Sequence, residues 1–245
     1  MNNKFFNIAI DGVAGSGKST LGKALAKELN FLFLNTGNLY RALASECIKQ
    51  KIDLKDNDSI IKELKKVQIS VQYKNKEPVI LINGKKINEE NLHIESISNA
   101  SSIVAKLPQI RDKIRKLQHN LAQSHNIVIE GRDIGSVVLP DADVKFFITA
   151  SAEVRADRRV MQNIVNRSTA VNYKTVFDDM LKRDWEDKNR NICPLKVAEN
   201  AVVIDTTNLK IEESVKIAKQ ECLKRKIAPA KEYSIKEKNK EQTLN

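Results

Sequence analysis

Short apolar runs separated by amphipathic segments dominate the pattern of this chain. Five runs have the length of buried strands, at residues 5–10, 31–34, 127–129, 144–149 and 201–205. Between the first two runs, Leu21, Leu25 and Leu29 recur at helical spacing. Strands that alternate with helices predict an α/β fold with a doubly wound, five-stranded parallel sheet. Ligands of such sheets bind at the carboxyl ends of the strands.

The period of the pattern changes between residues 67 and 94. Residues 68–73 alternate between polar and apolar side chains, and an apolar run follows at 78–82. Asn83-Gly84 is typical of a two-residue hairpin turn, and it leads into a third short strand at 85–87. Three antiparallel strands do not fit a parallel α/β pattern, so this segment predicts a small inserted subdomain.

Helices are predicted on both sides of this insertion. Thr36 is placed to cap a helix that carries Leu39 and Leu43 on one face, and Asp58 is placed to begin the next helix. Two more helices are expected at residues 95–105 and 108–124. The second of these has Pro108 in its first turn, where proline is favoured.

Residues 12–20 contain a phosphate-binding motif. They match G-x-x-x-x-G-K-[ST] between a predicted strand and a predicted helix, a context that a chance glycine-rich turn would lack. Glycines allow consecutive backbone N–H groups to converge on an anion, and the start of a helix adds its positive dipole end. Lys18 can reach the β- and γ-phosphates of a nucleoside triphosphate, and the Ser19 hydroxyl can ligate Mg²⁺. The predicted loop comprises Gly12, Val13, Ala14, Gly15, Ser16, Gly17, Lys18, Ser19 and Thr20.

Composition limits the location and the class of the protein. Its 245 residues, 41% of them hydrophobic, suffice for one α/β core with an insertion. Apolar runs of about 18 residues are missing from the sequence, so we expect no membrane span, and the early position of Gly12 argues against a signal peptide. Cys47, Cys193 and Cys222 lack metal-ligand spacing and are expected to be reduced thiols of a cytoplasmic protein.

The net charge of +11 is compatible with nucleic acid or with small anionic substrates. Residues 222–245 carry seven basic and three acidic side chains and are typical of a solvated tail. Basic residues interleaved with base-stacking aromatics are lacking, so the sequence does not require a nucleic-acid partner. Arginines gather instead beside predicted strand ends, where their planar guanidinium groups can bind phosphate bidentately. For Arg155 alone, a solvated helix face is an equal alternative.

Five motifs together resemble bacterial cytidylate kinases over residues 8–218. They are I-D-G at 10–12, T-G-x-x-Y-R at 36–41, S-N-A-S-S-x-V-A at 98–105 with Pro108 and Arg111, G-R-D-I-G-S-V-V-L-P-D-A at 131–142, and R-D-x-x-D-x-N-R at 183–190. The segment at 131–142 is the most specific, because few other P-loop kinases carry it. The antiparallel insertion also fits, since this family enlarges its nucleoside monophosphate (NMP) domain in this way. Val13, Asn35 and Thr36 depart from the family, which usually has Pro, Asp and Ser there.

The resemblance implies a division of the site between donor and acceptor. The loop at 12–20 and Arg158 would bind ATP, with Mg²⁺ on Ser19. Catalytic roles would belong to Lys18, Arg132, Arg159 and Arg190. The CMP-binding residues would be Arg41, Arg132 and Arg190 at the α-phosphate, Ser102, Arg111 and Asp133 at the cytosine, Arg183 and Asp187 at the ribose, and Thr36 and Tyr40 along the monophosphate pocket.

The same resemblance implies the domain organisation. A P-loop core would occupy residues 1–36 and 126–226, and an NMP-binding region would occupy 37–125, with its three-stranded antiparallel insert at about 67–94. A short lid at 155–172 would carry Arg155, Arg158 and Arg159 over the transferred phosphate. The basic tail at 227–245 would be flexible.

The implied reaction is ATP + CMP ⇌ ADP + CDP, in pyrimidine nucleotide metabolism, with dCMP as a second substrate and a cytoplasmic monomer as the enzyme. Such a transfer needs two anions brought in line and their charge neutralised, which Mg²⁺, Lys18 and arginines would do without a general base. Two alternatives stay open from the residues. One is a P-loop kinase for another small molecule, and the other is a nucleic-acid-associated P-loop ATPase that uses the basic tail.

Overall fold

Strands and helices alternate along the chain in a computed structural model that describes residues 4–165, 172–230 and 243–244. The strands are β1 (Asn7–Gly12), β2 (Leu32–Asn35), β3 (Ile69–Lys74), β4 (Glu77–Ile82), β5 (Lys85–Lys86), β6 (Ile127–Glu130), β7 (Val144–Thr149), β8 (Val202–Asp205) and β9 (Thr243–Leu244). The helices are α1 (Lys18–Leu29), α2 (Thr36–Lys49), α3 (Asn57–Lys66), α4 (Glu95–Val104), α5 (Pro108–Ser124), α6 (Ala152–Val165), α7 (Tyr173–Asn189) and α8 (Ile211–Lys224).

The main sheet has five strands in the order β2-β6-β1-β7-β8, which confirms the predicted doubly wound α/β fold. β7 pairs in parallel with both β1 and β8. Ile8, Ile10 and Phe146 lie in its core with at most 1% of their surface exposed. Burial on both faces explains why these strands are continuous apolar runs rather than alternating ones.

A second, antiparallel sheet contains the three strands that the change of period predicts. β3, β4 and β5 are adjacent in it, and Asn83 and Gly84 both have positive φ at the β4–β5 turn, as a tight hairpin requires. The backbone N–H of Gln68 donates to the side chain of Asn83 at 2.8 Å. A fourth, two-residue strand was not predicted: β9 pairs with β3 through Ser70 and Thr243.

Two helices begin earlier than the sequence suggests. Asn35, not Thr36, caps α2, because its extended backbone lets its side chain accept from the N–H of Asn38 at 3.3 Å. Asp56, not Asp58, caps α3 and accepts from the N–H of Ser59 at 3.1 Å. In both cases the cap stands three residues before the N–H that it binds, which is the spacing that capping requires.

The described chain divides into two compact units. The insert unit contains residues 30–129 with the chain ends, and the loop unit contains residues 7–29 and 130–228. Among the described residues, the helices are too short or too polar to cross a membrane. Part of the predicted lid, residues 166–171, lies outside the described residues, as do residues 231–242 and 245 of the tail.

Candidate active site

The phosphate-binding loop connects β1 to α1 in the loop unit, where the motif predicts it. Gly12 has φ +146°, and a Cβ atom there would lie 2.0 Å from the carbonyl oxygen of Ile148 on β7. Any side chain at this position would therefore collide with the neighbouring strand. Gly15 has φ +73°, which glycine adopts without steric cost. Gly12 and Gly15 thus occupy points where the backbone approaches a strand closely or turns.

Lys18 closes the loop onto itself. Its Nζ donates to the carbonyl oxygen of Val13 at 2.6 Å, and the hydroxyl of Ser16 donates to the same oxygen at 2.9 Å. Burial, reinforced by the nearby charge of Arg132, lowers the pKa of Lys18 from 10.5 to about 7. An anion in the loop would oppose both effects and favour the protonated lysine.

A carboxylate that sequence reasoning missed lies beside the predicted metal ligand. The Ser19 hydroxyl donates to Oε1 of Glu130 at 2.7 Å, at the end of β6. Glu130 is 4% exposed, and its Oε2 atom makes no hydrogen bond among the described residues. A hydroxyl next to a buried carboxylate oxygen with unused lone pairs is a set of hard oxygen ligands that suits Mg²⁺. The one signal in the sequence was an acidic residue directly before Gly131-Arg132-Asp133.

Arg155 is buried on α6, so its interpretation as part of a solvated helix face is wrong. It is 5% exposed, and its Nη1 atom lies 2.6 Å from Oδ2 of Asp184 on α7. The same nitrogen donates to the carbonyl oxygen of Ala14 at 3.0 Å. Two helices of the loop unit thereby reach the phosphate-binding loop through one ion pair.

Arg158 reaches the loop through Thr206, a residue without a predicted role. Its guanidinium donates to the hydroxyl and to the carbonyl oxygen of Thr206 at 3.0 and 2.8 Å. The Thr206 hydroxyl donates to the carbonyl oxygen of Ser16 at 3.1 Å. Arg159, one residue further along α6, donates to Gln162 at 3.0 Å. Burial and the charge of Arg132 lower the pKa of Arg159, so positive charge is crowded here.

Asp187 contacts two of the arginines that are predicted to bind CMP, the phosphate acceptor. Nε of Arg132 donates to Oδ2 of Asp187 at 2.8 Å, and Nη1 of Arg190 lies 3.8 Å from Oδ1. Arg190 also donates to Asp133 at 3.4 Å. Burial disfavours ionisation of Asp187, but the charges of Arg132, Arg190 and Arg183 outweigh it and hold its pKa below the usual value.

Arg183 belongs to the same charged cluster, which places five predicted site residues together in the loop unit. Burial and then the charge of Arg132 lower the pKa of Arg183, while Asp187 acts in the opposite sense. Three arginines whose charges all act on Asp187 form a positively charged site that is suited to a dianionic phosphate. The five residues are Arg132, Asp133, Arg183, Asp187 and Arg190.

The predicted residues of the insert unit contact other residues of the same unit. Thr36 is 5% exposed, and its hydroxyl accepts from Nε2 of Gln118 at 2.8 Å. Arg111 is 8% exposed, donates to the carbonyl oxygen of Ala105 at 3.1 Å, and lies over the ring of Tyr40 at 5.9 Å. Sequence reasoning identified Thr36, Tyr40 and Arg111 but missed Gln118, which is a polar residue on the buried face of α5.

Arg41 and Ser102 complete the predicted set in this unit. Nη1 of Arg41 is 3.5 Å from Oδ1 of Asn38, whose amide donates to Glu89 at 3.2 Å. A Cβ atom at Gly37 would lie 2.8 Å from Nη1 of Arg41, so the glycine leaves room for the guanidinium. The hydroxyl of Ser102 donates to the carbonyl oxygen of Ser98 at 3.4 Å on α4.

Comparison with known proteins gives one consistent result. The cytidylate kinase family model matches residues 8–224. A cytidylate kinase from Caldicellulosiruptor saccharolyticus is 40% identical over 210 residues, covering 86% of this chain and 92% of that protein. Another from Caldanaerobacter subterraneus subsp. tengcongensis is 41% identical over 215 residues, covering 88% and 93%. A third from Clostridium botulinum is 41% identical over 209 residues, covering 85% and 94%.

Proposed function

Because the chain belongs to the cytidylate kinase family, we propose that it transfers the γ-phosphoryl group of ATP to CMP, giving ADP and CDP. The observation that carries this proposal is the cluster in which Asp187 holds Arg132 and Arg190 in the unit that also contains the phosphate-binding loop. Such a cluster would supply a second phosphate site besides the one in the loop. Family membership favours this reaction over the nucleic-acid-associated ATPase and over kinases for other small molecules.

ATP would bind through the loop at 12–20. In this structure Lys18 donates to the carbonyl oxygen of Val13. When ATP binds, Lys18 would donate to the β- and γ-phosphates instead. Arg158 would leave Thr206 and Arg159 would leave Gln162 to donate to the phosphates of ATP. Each of these side chains exchanges a neutral acceptor for a charged one, which makes a stronger hydrogen bond.

Ser19 and Glu130 would hold Mg²⁺. The buried Oε2 atom of Glu130 and the adjacent Ser19 hydroxyl fit this ion. Mg²⁺, when bound, neutralises phosphate charge and orients the oxygens for in-line transfer. Ser19 could bind the ion through an oxygen lone pair while its hydroxyl hydrogen still points to Glu130.

CMP would bind through two sets of residues. Arg41, Arg132 and Arg190 would neutralise its α-phosphate. Asp187 would then turn to the ribose together with Arg183. In the insert unit, Ser102 and Arg111 would bind the cytosine edge, and Thr36 and Tyr40 would line the pocket. Asp133, in the loop unit, would accept from the exocyclic amine of the base.

The chemistry requires positioning rather than covalent assistance. The nucleophile is an oxygen of the CMP phosphate, so no hydroxyl has to be deprotonated and no general base is needed. The bond between the γ-phosphorus and the bridging oxygen of ADP breaks as the new phosphorus–oxygen bond forms. Lys18, Arg132, Arg159 and Arg190 would stabilise the charge that spreads over the transferred group.

We extend the proposal to dCMP as a second substrate and to a monomeric, cytoplasmic enzyme. The three cysteines form no disulfide, as expected in a reducing compartment. Sedimentation measurements at assay concentration would test the monomer. Parallel rates with CMP and dCMP would measure the importance of the ribose contacts at Arg183 and Asp187.

A coupled assay with CMP, dCMP, UMP and AMP tests the substrate. We expect CMP and dCMP to react well, and UMP and AMP to react poorly. Arg111→Met should raise KM for CMP by about 10- to 100-fold and leave KM for ATP unchanged, since it removes a charged hydrogen-bond donor from the base. Arg115→Met on the same helix is the control, because the side chain of Arg115 is 42% exposed and forms an ion pair with Asp112. Faster turnover of UMP or AMP than of CMP would contradict the proposal.

A further inference from the structure

The peptide groups around Ala14 are enclosed by a ring of three hydrogen bonds. The backbone N–H of Ala14 donates to Oδ1 of Asp184 at 3.2 Å. Oδ2 of Asp184 accepts from Nη1 of Arg155 at 2.6 Å. The same Nη1 atom donates to the carbonyl oxygen of Ala14 at 3.0 Å, which closes the ring. One ion pair therefore binds both polar backbone groups of a single loop residue.

The ring lies in a dry, tightly packed region. Ala14, Ala156 on α6 and Met180 on α7 form one buried apolar cluster. A Cβ atom at Gly15 would lie 3.2 Å from the Cβ atom of Arg155 and 3.3 Å from Sδ of Met180. Arg155 and Asp184 are 5% and 6% exposed. Their charges are therefore poorly screened by water, and the geometry between them is held by packing on both helices.

A further hydrogen bond holds Arg155 to the chain just after β7. Its Nε atom donates to the carbonyl oxygen of Ala150, just after β7. The guanidinium thus links the end of a central strand, α7 and the loop in one rigid arrangement. These contacts use Nε and Nη1 of Arg155 and both carboxylate oxygens of Asp184, so the pair is suited to holding the loop.

We propose that Arg155 and Asp184 are positioning residues that fix the peptide groups of Ala14, so that the following N–H groups of the loop converge on the phosphates of ATP. The proposal rests on the proposed function only in that ATP binds to this loop. An anion nest binds tightly when its N–H groups are oriented before the ligand arrives. Without the ring, the loop would have to order the Ala14–Gly15 turn at the moment of binding, and ATP affinity would fall.

The first test separates ATP binding from CMP binding. Arg155→Met keeps an unbranched apolar stem but removes the guanidinium that donates to Ala14. We expect KM for ATP to rise by about 10- to 100-fold, with KM for CMP changed by less than about twofold. Titration calorimetry with the non-hydrolysable probe adenosine 5′-(β,γ-imido)triphosphate, without Mg²⁺, should show the same loss of affinity.

The second test separates positioning from stability. Arg155→Met leaves the Asp184 carboxylate buried without its cation, so this variant should unfold at a lower temperature. The double variant Arg155→Met/Asp184→Leu removes both charges, which should restore much of the lost thermal stability. Its affinity for the probe should stay low, because both backbone groups of Ala14 still lack their partners. Where Arg155→Met fails to fold, the double variant alone decides the question.

Leu64→Ala is the matched control. It removes a fully buried side chain from α3 in the insert unit and so lowers the unfolding temperature without touching the loop. Its affinity for the probe should equal that of the unaltered chain. Recovery of affinity together with stability in the double variant, or an equal loss of affinity in Leu64→Ala, would overturn the proposal.

The outcomes also distinguish this inference from the proposed function. If the unaltered chain binds the probe but does not phosphorylate CMP, the proposed reaction is wrong, while the variants still test the ring. If the unaltered chain binds no probe at any concentration, both fail. If CMP is phosphorylated and Arg155→Met binds the probe normally, only the positioning role fails.

Discussion

The carboxylate of Asp11 accepts a hydrogen bond from the backbone N–H of Ile134, with Oδ1 and nitrogen 2.8 Å apart. Its Oδ2 atom accepts from the N–H of Gly135 at 2.7 Å. On the other side, the N–H of Gly131 donates to the carbonyl oxygen of Ile10 at 2.9 Å. The two residues in between are Arg132 and Asp133. The segment that carries them is therefore anchored to β1 at both ends, once through a buried acid.

The ionisation of Asp11 should make stability depend on pH in the sense opposite to that of an acid whose pKa is lowered on folding. Burial raises its pKa from 3.8 to about 6, despite the two N–H groups. Between these values the folded chain binds more protons than the unfolded chain, so the contribution of Asp11 is present below pH 3.8 and is lost as pH rises through 6. We expect it to decline by about 2 kcal/mol from pH 4 to pH 7.

Comparison with Asp11→Asn isolates this effect, because the variant lacks the titrating group. Urea unfolding followed by circular dichroism should give a difference in unfolding free energy between the two chains that shrinks steadily from pH 4 to pH 7. A difference that is independent of pH would contradict a raised pKa at Asp11.

The fold was predictable because its signals are local. Apolar runs, the Asn83-Gly84 turn and Pro108 mark strands, a hairpin and a helix start within a few residues of one another. The helix caps were misplaced, since Thr36 and Asn35 can both cap and only the backbone conformation decides between them. β9 was missed because a two-residue strand has no period to detect.

The partners in the site were far less predictable than its members. The motif identified Ser19 and Ala14, but Glu130 lies 111 residues from Ser19, and Asp184 lies 170 residues from Ala14. A pattern of apolar and polar residues indicates which side chains are buried. It does not indicate which buried carboxylate accepts a hydrogen bond from which donor. Arg155 shows the consequence, because its surroundings on α6 did not distinguish a solvated arginine from a buried one.

The pKa of Lys18 predicts the pH dependence of ATP capture. Burial and the charge of Arg132 lower that pKa to about 7, so the lysine loses its proton in the ATP-free enzyme as pH rises above this value. We expect kcat/KM for ATP to fall by about tenfold per pH unit above pH 7, while kcat stays flatter because bound phosphates raise the pKa. Initial rates across pH would measure both. Lys18→Arg should remove the inflection near pH 7 from the profile of kcat/KM, since arginine keeps its charge. An inflection that persists in this variant would belong to another titrating group.

Glu130 should control the requirement for Mg²⁺. Its buried Oε2 atom has no partner among the described residues, and its Oε1 atom accepts from Ser19. Glu130→Gln keeps the size of the side chain but removes the charge, so we expect the Mg²⁺ concentration for half-maximal rate to rise by about 10- to 100-fold. Glu199→Gln is the control, because Glu199 is exposed and is joined to Lys145 only through its backbone carbonyl oxygen. An unchanged Mg²⁺ requirement in Glu130→Gln would exclude Glu130 from the metal site.

Arg132 should contribute to the transition state more than to either ground state. Its Nε atom is already bound to Asp187 at 2.8 Å, and Asp187 also holds Arg190. Arg132→Met should lower kcat by about 100- to 1000-fold, the usual effect of losing one donor to a developing charge. Arg132→Lys should recover only part of this, since lysine cannot bind Asp187 and a phosphate in one plane. Arg115→Met, which removes a partly exposed arginine, should leave kcat unchanged. A rise in KM for CMP with kcat unaltered in Arg132→Met would instead assign this arginine to uniform binding of the substrate.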